Sequence, residues 1–430
     1  MASPAPPFTD APPAPPCIPD APAAPPCCPD ASPAMEAQAT LPDHLTEDIL
    51  LRLTTAADLA RASMAGPSLR RIVAEHSFLR RFRTLHPPPL LGVLSDPFLP
   101  AQPPHPSAAA ARTLAGTDFS CSFLPSRDQP WILHDFRDGR ALLCTATDHH
   151  CLARDVAVCD PLRRRYLLLP PVPRLPDLVF CLDPFLAPAG GDEGADDTAA
   201  DAPSRFKVMC LAQYQTRLVL YVHSSSGPHA GQWRAVAFDG WTALLAGVSV
   251  HVLSAVTVGK RYYAHGCFCW AVCAMDKLLM LDTATTEFST VDLPSDLMNH
   301  ELAFVEASQG RLGMFALSQT PTHRVPRLRY SILVSIGDDD PGQWQKKKVV
   351  KLSHDHLYRI IGVAGGYLLL YVVTDDPEPY HPDKVPDPGC CFSLNLHTMD
   401  LERFSRNSDI MPLQDQLYSG FPPYLSPPTI

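Results

Sequence analysis

The first 51 residues contain no lysine or arginine, and the first basic side chain is Arg52. A secretory signal begins with basic residues before an apolar block, and a transit peptide is rich in arginine. We therefore expect neither kind of targeting segment. The fourteen cysteines are then expected to be reduced thiols of a cytoplasmic or nuclear protein, since disulfides persist mainly in oxidising compartments.

Positive charge and long apolar runs are both scarce. The chain has 35 Lys and Arg against 45 Asp and Glu, a net charge of -10, and nucleic-acid binding requires clustered basic side chains. One segment, residues 241–259, is long enough for a marginal membrane span. Its alternating β-branched pattern, interrupted by Gly247, favours two strands of a sheet instead. We expect neither a nucleic-acid nor a membrane partner.

Motifs that carry chemistry are also missing. The sequence has no G-x-S-x-G, no Gly-rich phosphate loop and no H-E-x-x-H. The segment "HGCFCWAVC" offers four candidate zinc ligands: His265, Cys267, Cys269 and Cys273. A buried strand is the simpler interpretation, with Cys267 and Cys269 on one face and Phe268 and Trp270 on the other. The "DHHC" at 148–151 is interpreted as an accidental match. We predict no catalytic residue, no metal and no cofactor.

Proline dominates residues 1–40, where "APPAPPCIPD" and "APAAPPCCPD" are near-copies of each other. Proline lacks an N–H donor and has a fixed φ, so the segment is expected to be polyproline-like coil. A solvated tail is the simpler interpretation, and a ligand for a proline-binding domain is the alternative.

The stretch "LPDHLTEDILLRL", beginning at Leu41, predicts an amphipathic helix. Leu45, Ile49, Leu50 and Leu53 recur at helical spacing, and proline at position 42 is tolerated in a first turn. The apolar stripe is completed either by a partner or by the chain's own later helices.

Three further short helices are predicted before residue 88. Thr55 with Asp58 resembles a capping box, Gly66 ends that helix, and Pro67 begins the next. Ser77 is expected to cap the last one. Four short helices bury little apolar surface, so such a unit is marginal alone.

Residues 89–430 carry the pattern of an all-β domain. Short apolar or alternating runs are separated by Gly, Pro and Asp, which is typical of a sandwich, barrel or propeller. The runs are "GRALLCTA", "RDVAVCD", "RLVLYVH", "QWRAVAFDG", "LLMLDT", "RLGMFAL", "GGYLLLYVV" and "CFSLNL".

A repeat within this region favours a propeller. In three segments an apolar run ends in an Asx residue, which closes a tight hairpin, and an apolar anchor follows six residues later. The pairs are Asp160 with Tyr166, Asp282 with Phe288, and Asn395 with Leu401. The Asx residues are 122 and 113 residues apart, near three times a blade of about 40 residues. The fold predicted is a β-propeller of roughly six to eight blades, with a large sandwich as the alternative.

The segment "LPDHLTEDILLRL…DLARASMAGPSLRRIVAEHSFLRRF" resembles the F-box, which ties substrate receptors to a Skp-type adaptor of cullin ubiquitin ligases. "VCDPLRRRYLLLPP" and "LLMLDTATTEFSTVDLP" are similar to the F-box-associated propeller domains of plant F-box proteins, and "SFLRRFRTLHPPPLLG" is similar to their grass branch. The likeness covers nearly everything after residue 40. One departure is Gly66, Pro67 and Leu69, where the family usually has a Cys-Lys or Cys-Arg pair followed by an aromatic residue.

The resemblance implies a tail at 1–40, a small all-α F-box at 41–88 and a large all-β, propeller-like substrate-binding domain at 89–430. It implies a non-catalytic substrate-recognition subunit of an SCF-type ubiquitin ligase. The partners would be a Skp-type adaptor, through it a cullin, and a protein substrate. Adaptor contacts would lie on Leu41, Pro42, Leu45, Ile49, Leu50, Leu53 and Leu59.

Two further expectations accompany this interpretation. Arginines at 70, 71, 80, 81 and 83 would suit an acidic adaptor. The propeller is expected to share no core with the first helix, so that damage to one module spares the other. The alternative function is a propeller scaffold or ligand-binding protein with a vestigial F-box.

Overall fold

The computed structural model of the chain describes residues 41–53, 55–145, 155–173, 178–181, 184–188, 205–214, 217–238, 260–272, 276–297, 300–319, 325–334, 342–353, 356–373, 389–406, 416–421, 423, 426 and 429–430. The proline-rich segment 1–40, the apolar segment 241–259, the "DHHC" at 148–151 and Cys273 lie outside the described residues.

Four short helices come first in the described chain. They are α1 (Asp43–Leu51), α2 (Ala56–Met64), α3 (Pro67–Ala74) and α4 (His76–Leu85). The Thr55 hydroxyl oxygen accepts a hydrogen bond from the Asp58 N–H at 3.1 Å, which confirms the predicted cap of α2. The prediction that Ser77 caps α4 is wrong, because α4 already begins at His76 and places Ser77 in its first turn.

The described strands form six sheets arranged as blades. Blade 1 contains β1 (Leu90–Leu94), β2 (Leu99–Pro100) and β24 (Gln416–Ser419). Blade 2 contains β3 (Trp131–Arg137), β4 (Arg140–Thr145), β5 (Val156–Asp160) and β6 (Arg165–Leu169). Blade 3 contains β7 (Leu178–Cys181), β8 (Phe185–Ala187), β9 (Lys207–Tyr214), β10 (Leu218–Ser224) and β11 (Trp233–Phe238).

The remaining three blades have four antiparallel strands each. Blade 4 contains β12 (Tyr262–Ala264), β13 (Cys267–Val272), β14 (Lys277–Asp282) and β15 (Phe288–Asp292). Blade 5 contains β16 (Glu301–Ala307), β17 (Arg311–Ser318), β18 (Arg327–Val334) and β19 (Gln343–Lys351). Blade 6 contains β20 (Leu357–Ala364), β21 (Tyr367–Val373), β22 (Cys390–Asn395) and β23 (Leu401–Arg406). A one-turn helix, α5 (Ala108–Ala111), lies between blades 1 and 2 in the sequence.

The six blades close into a ring. The innermost strands β24, β3 and β8 lie side by side, as do β12, β16, β20 and β24. Between blades 3 and 4 the Phe185 and Phe268 rings pack 4.7 Å apart. The antiparallel pairing of β1 with β24 joins the first and last strands in one blade. The protein is therefore a six-bladed β-propeller. This confirms the predicted propeller, at the lower end of the predicted range of six to eight blades, and excludes the sandwich.

All eight apolar runs singled out in the sequence are strands: β4, β5, β10, β11, β14, β17, β21 and β22. The predicted faces of β13 are also confirmed. Phe268 and Trp270 pack toward blade 3, while Cys269 packs toward blade 5. Alternating side chains of one strand thus serve two inter-blade cores, as the period of a strand requires.

The three Asx residues close tight hairpins, as predicted, and each hairpin joins the third and fourth strands of its blade. Asp282 accepts hydrogen bonds from the backbone N–H groups two and three residues later, at 2.7 and 3.0 Å. Asn395 makes the same two bonds at 2.9 and 3.1 Å. Asp160 accepts one from the N–H three residues later, at 3.2 Å. The Asx side chain therefore supplies the turn's hydrogen bonds in each case.

The interpretation of their spacing is wrong. The hairpins belong to blades 2, 4 and 6, so each interval of 122 or 113 residues spans two blades rather than three. A blade with its connections occupies about 60 residues here, more than the blade of about 40 residues assumed in the prediction.

Candidate functional site

The outer side of α1 and Leu41 just before it expose three apolar side chains. Leu41, Leu45 and Ile49 are 49%, 43% and 55% exposed and recur every fourth residue. Among the described residues, five of the ten exposed large hydrophobic side chains lie between residues 41 and 85. A short unit that exposes so large a share of the apolar surface is a candidate partner-binding site.

The other predicted contact residues are divided between this row and the interior. Pro42 is exposed and precedes the first helical residue. Leu50 and Leu59 are buried, and Leu53 is half-buried against the same cluster. The structure thus separates an outward row from an inward group that stabilises the helices themselves. We call Leu41, Leu45 and Ile49 the apolar row.

Ion pairs fix α1 against the later helices. Arg81 contacts Glu47 at 2.7 Å and Asp48 at 3.4 Å, and Arg71 contacts Asp43 at 2.6 Å. Apart from the half-buried Glu47, the side chains of these pairs are exposed, and such surface pairs contribute little stability, about 0–1 kcal/mol. These two arginines, expected from the sequence to face an acidic adaptor, instead neutralise carboxylates of the chain's own first helix. The pairs leave the apolar row uncovered.

The helices share a core with the propeller, contrary to the expectation that they are separate. Phe421, which follows β24, is buried among the helical side chains, and its ring lies 6.3 Å from that of Phe82. The Gly420 N–H donates to the Pro89 carbonyl at 3.1 Å, and the Ser419 hydroxyl donates to the Pro88 carbonyl at 2.8 Å. No periodic pattern surrounds Phe421, so the sequence carries no signal for this contact.

The three residues that differ from the F-box pattern in the sequence resemblance lie at the turn between α2 and α3 and at the start of α3. Gly66 is extended and precedes Pro67, which takes the first position of α3, where proline is favoured. Leu69 packs against the helical core. The substituted residues therefore serve the local fold of this chain.

Cys267 and Cys269 are the two described cysteines of the candidate zinc segment, and both lie in β13. Burial raises the pKa of the Cys267 thiol, and burial with the neighbouring Cys267 raises that of Cys269 to about 12. Both side chains take part in inter-blade packing, with Cys269 fully buried and Cys267 partly buried against the same cluster. Within the described ranges, no three His, Cys, Asp or Glu side chains are arranged to hold a metal ion.

No protein-family model and no curated protein matches this sequence. Sixty-three chains of solved structures do match it. One is "Dihydro-heme d1 dehydrogenase NirN in complex with DHE", at 8% identity and a TM-score of 0.30, covering 66% of this chain and 58% of that one. The present chain thus spans little more than half of that structure. None of the helices that the structure describes has the length and apolar character of a membrane span.

Proposed function

We propose that the chain is the substrate-recognition subunit of an SCF-type cullin ubiquitin ligase. The four helices act as an F-box that docks a Skp-type adaptor, and the propeller holds a protein substrate. The chain itself is non-catalytic in this proposal. Ubiquitin transfer is carried out by other subunits, because holding a substrate near a reactive group replaces an encounter between free molecules.

The apolar row is the observation that carries the proposal. Leu50 and Leu59 are covered by the chain's own helices and Phe421, whereas Leu41, Leu45 and Ile49 are not. Full burial of such a side chain contributes roughly 1.5–3 kcal/mol, and these three are about half exposed. A partner that covers the row would therefore gain on the order of 1 kcal/mol from each side chain.

The attachment to the propeller supports the same division of roles. Phe421 and the two hydrogen bonds to Pro88 and Pro89 hold the helices against blade 1. A receptor must hold its substrate at a set distance from the transfer machinery, and a helical unit packed on the propeller provides that geometry. An adaptor bound to the apolar row would be oriented relative to the propeller.

The proposal is tested by measuring how much Skp-type adaptor co-purifies with the full wild-type chain and with a double variant. The double variant carries Leu45→Asp and Ile49→Asp. Both positions are exposed, so the fold is expected to persist. Each new carboxylate would be desolvated at the contact, which costs several kcal/mol when it is unpaired. We expect adaptor binding to weaken at least a hundredfold, a change of about 2.8 kcal/mol.

The matched control is Leu168→Asp on the outermost strand of blade 2. Leu168 is 39% exposed, close to the 43% of Leu45, and lies in the propeller. The control is expected to bind the adaptor like the wild type. If the double variant retained the adaptor, the F-box assignment would be wrong, and the scaffold function with a vestigial F-box would be favoured.

A further inference from the structure

A cavity of about 260 Å³ lies among the innermost strands of the propeller. Its charged side chains come from β3 of blade 2 and from the residues around the start of β12 in blade 4, and residues of β20 and β24 with Pro88 also line it. Ligand pockets for drug-sized molecules are usually about 300–1,000 Å³. The cavity therefore matches a single small group rather than an extended ligand.

Three basic side chains, Arg137, Lys260 and Arg261, line the cavity beside two acidic ones, Asp135 and Asp138. Asp135 is already neutralised. Its carboxylate contacts Arg261 at 3.0 Å and accepts the N–H groups of Phe136 at 2.9 Å and Leu186 at 2.8 Å. The described lining thus has an excess of positive charge.

Arg137 has the geometry of an anion-binding side chain. It extends from β3, and its guanidinium lies 4.4 Å from the Tyr263 ring centre and 5.4 Å from that of Phe268, both in blade 4. Its Nε atom is buried without a hydrogen-bond partner among the described residues. No described carboxylate lies within ion-pair distance of it, although Asp138 is the next residue.

The two rings pack against the guanidinium, and no described residue accepts a hydrogen bond from its Nε. A guanidinium presents N–H donors in a planar fork that matches the two oxygens of a carboxylate or phosphate. Because Nε is inaccessible to solvent, an anion in the cavity would be bound by the terminal N–H groups of Arg137, which lines the cavity. Water could fill the same space but would leave the excess charge uncompensated.

We propose that this cavity binds one anionic group, a carboxylate or a phosphate, through Arg137. The group belongs either to a free small anion or to a side chain of a bound polypeptide. The site is built from blades 2 and 4 and does not depend on adaptor docking, so it stands or falls separately from the proposed function.

Calorimetric titration of the full chain with inorganic phosphate at low ionic strength tests the site. We expect one phosphate per chain, and at least tenfold weaker binding to Arg137→Gln. The control, Arg234→Gln, removes an exposed arginine from β11 at the outer edge of blade 3 and should leave the affinity unchanged. Arg137→Lys keeps the charge over the rings but loses the fork, so intermediate affinity is expected.

A pentapeptide with a central phosphoserine between glycines separates the two sources. If the peptide displaces inorganic phosphate and this displacement depends on Arg137, the natural ligand is a polypeptide side chain. If inorganic phosphate binds and the peptide does not, the natural ligand is a free small anion. The proposal is overturned if inorganic phosphate, acetate and the phosphopeptide all fail to bind at millimolar concentration. It is also overturned if phosphate binds folded Arg137→Lys and Arg137→Gln as it binds the wild type. Should Arg137→Gln unfold, unchanged affinity in Arg137→Lys is sufficient to overturn it.

Discussion

Equivalent residues in the repeated hairpins have unequal surroundings. Asp282 is half-buried and bonds its own turn, whereas Asp160 is fully buried. The second oxygen of Asp160 accepts the Thr429 N–H at 3.0 Å and lies 3.5 Å from Arg163. Arg140 donates to the Thr429 carbonyl at 3.1 Å. One member of the repeat thus also holds the last residues of the chain against blade 2.

This difference predicts unequal costs of substitution. Asp282→Ala removes the bonds of an exposed turn and should lower the free energy of unfolding by about 1 kcal/mol. Asp160→Ala leaves Arg163 and the Thr429 N–H without their buried partner, so a loss of about 3 kcal/mol or more is expected. Urea denaturation of both variants measures the two costs. Equal costs would show that the contact with Thr429 contributes nothing.

The hydrogen bonds of Asp160 within its own turn were predicted from the sequence, whereas its contact with Thr429 was not. An Asx side chain bonds N–H groups two and three residues away, so its role follows from the neighbouring letters. The contact between Asp160 and Thr429 joins residues that are 269 positions apart. No periodicity or motif connects them, and only the closed ring brings them together.

Among the elements, the innermost strands of the blades gave no apolar run in the sequence. None of the eight strands predicted from apolar runs is the innermost strand of its blade. The innermost strands carry polar side chains that bridge blades: Glu301 of β16 accepts the Ile360 N–H of β20 at 2.9 Å. Burial raises the pKa of Glu301. Such side chains interrupt the apolar pattern from which strands are predicted.

The helices were predicted more completely than their attachment. Caps and proline positions are local signals, and they identified α2 and α3 correctly. A unit of four short helices has little core of its own, and Phe421 supplies part of it from the far end of the sequence. The helical spacing of the leucines and isoleucine did not separate the exposed apolar row from the buried residues, because both sets fit one broad helical face.

Phe421→Ala is therefore expected to loosen the helices and spare the blades. Truncating a buried phenylalanine costs about 3–5 kcal/mol, a large share of the stability of so small a unit. Hydrogen exchange should become faster between residues 43 and 85 and stay unchanged in blade 5. Phe315→Ala, a buried phenylalanine of β17, is the matched control and should have the reverse effect. Unchanged exchange in the helices of Phe421→Ala would contradict a shared core.

At the scale of the whole molecule, the ring joins the two ends of the described chain. β1 pairs with β24, and the helices that precede β1 pack against the residue that follows β24 by two positions. The number of blades was predictable only as a range, because the Asx repeat marks every second blade. The helical unit and the propeller form a continuous structure, yet the apolar row remains outside the shared core.

Photo-crosslinking from the apolar row tests the adaptor-docking proposal most directly. A photoreactive amino acid replaces Ile49 in one version of the full chain and Leu168 in another, and each is irradiated with a Skp-type adaptor. The account predicts a covalent adduct with the adaptor from position 49 and none from position 168. An adaptor that co-purifies with the chain but crosslinks only from position 168, or from neither position, would contradict docking on α1.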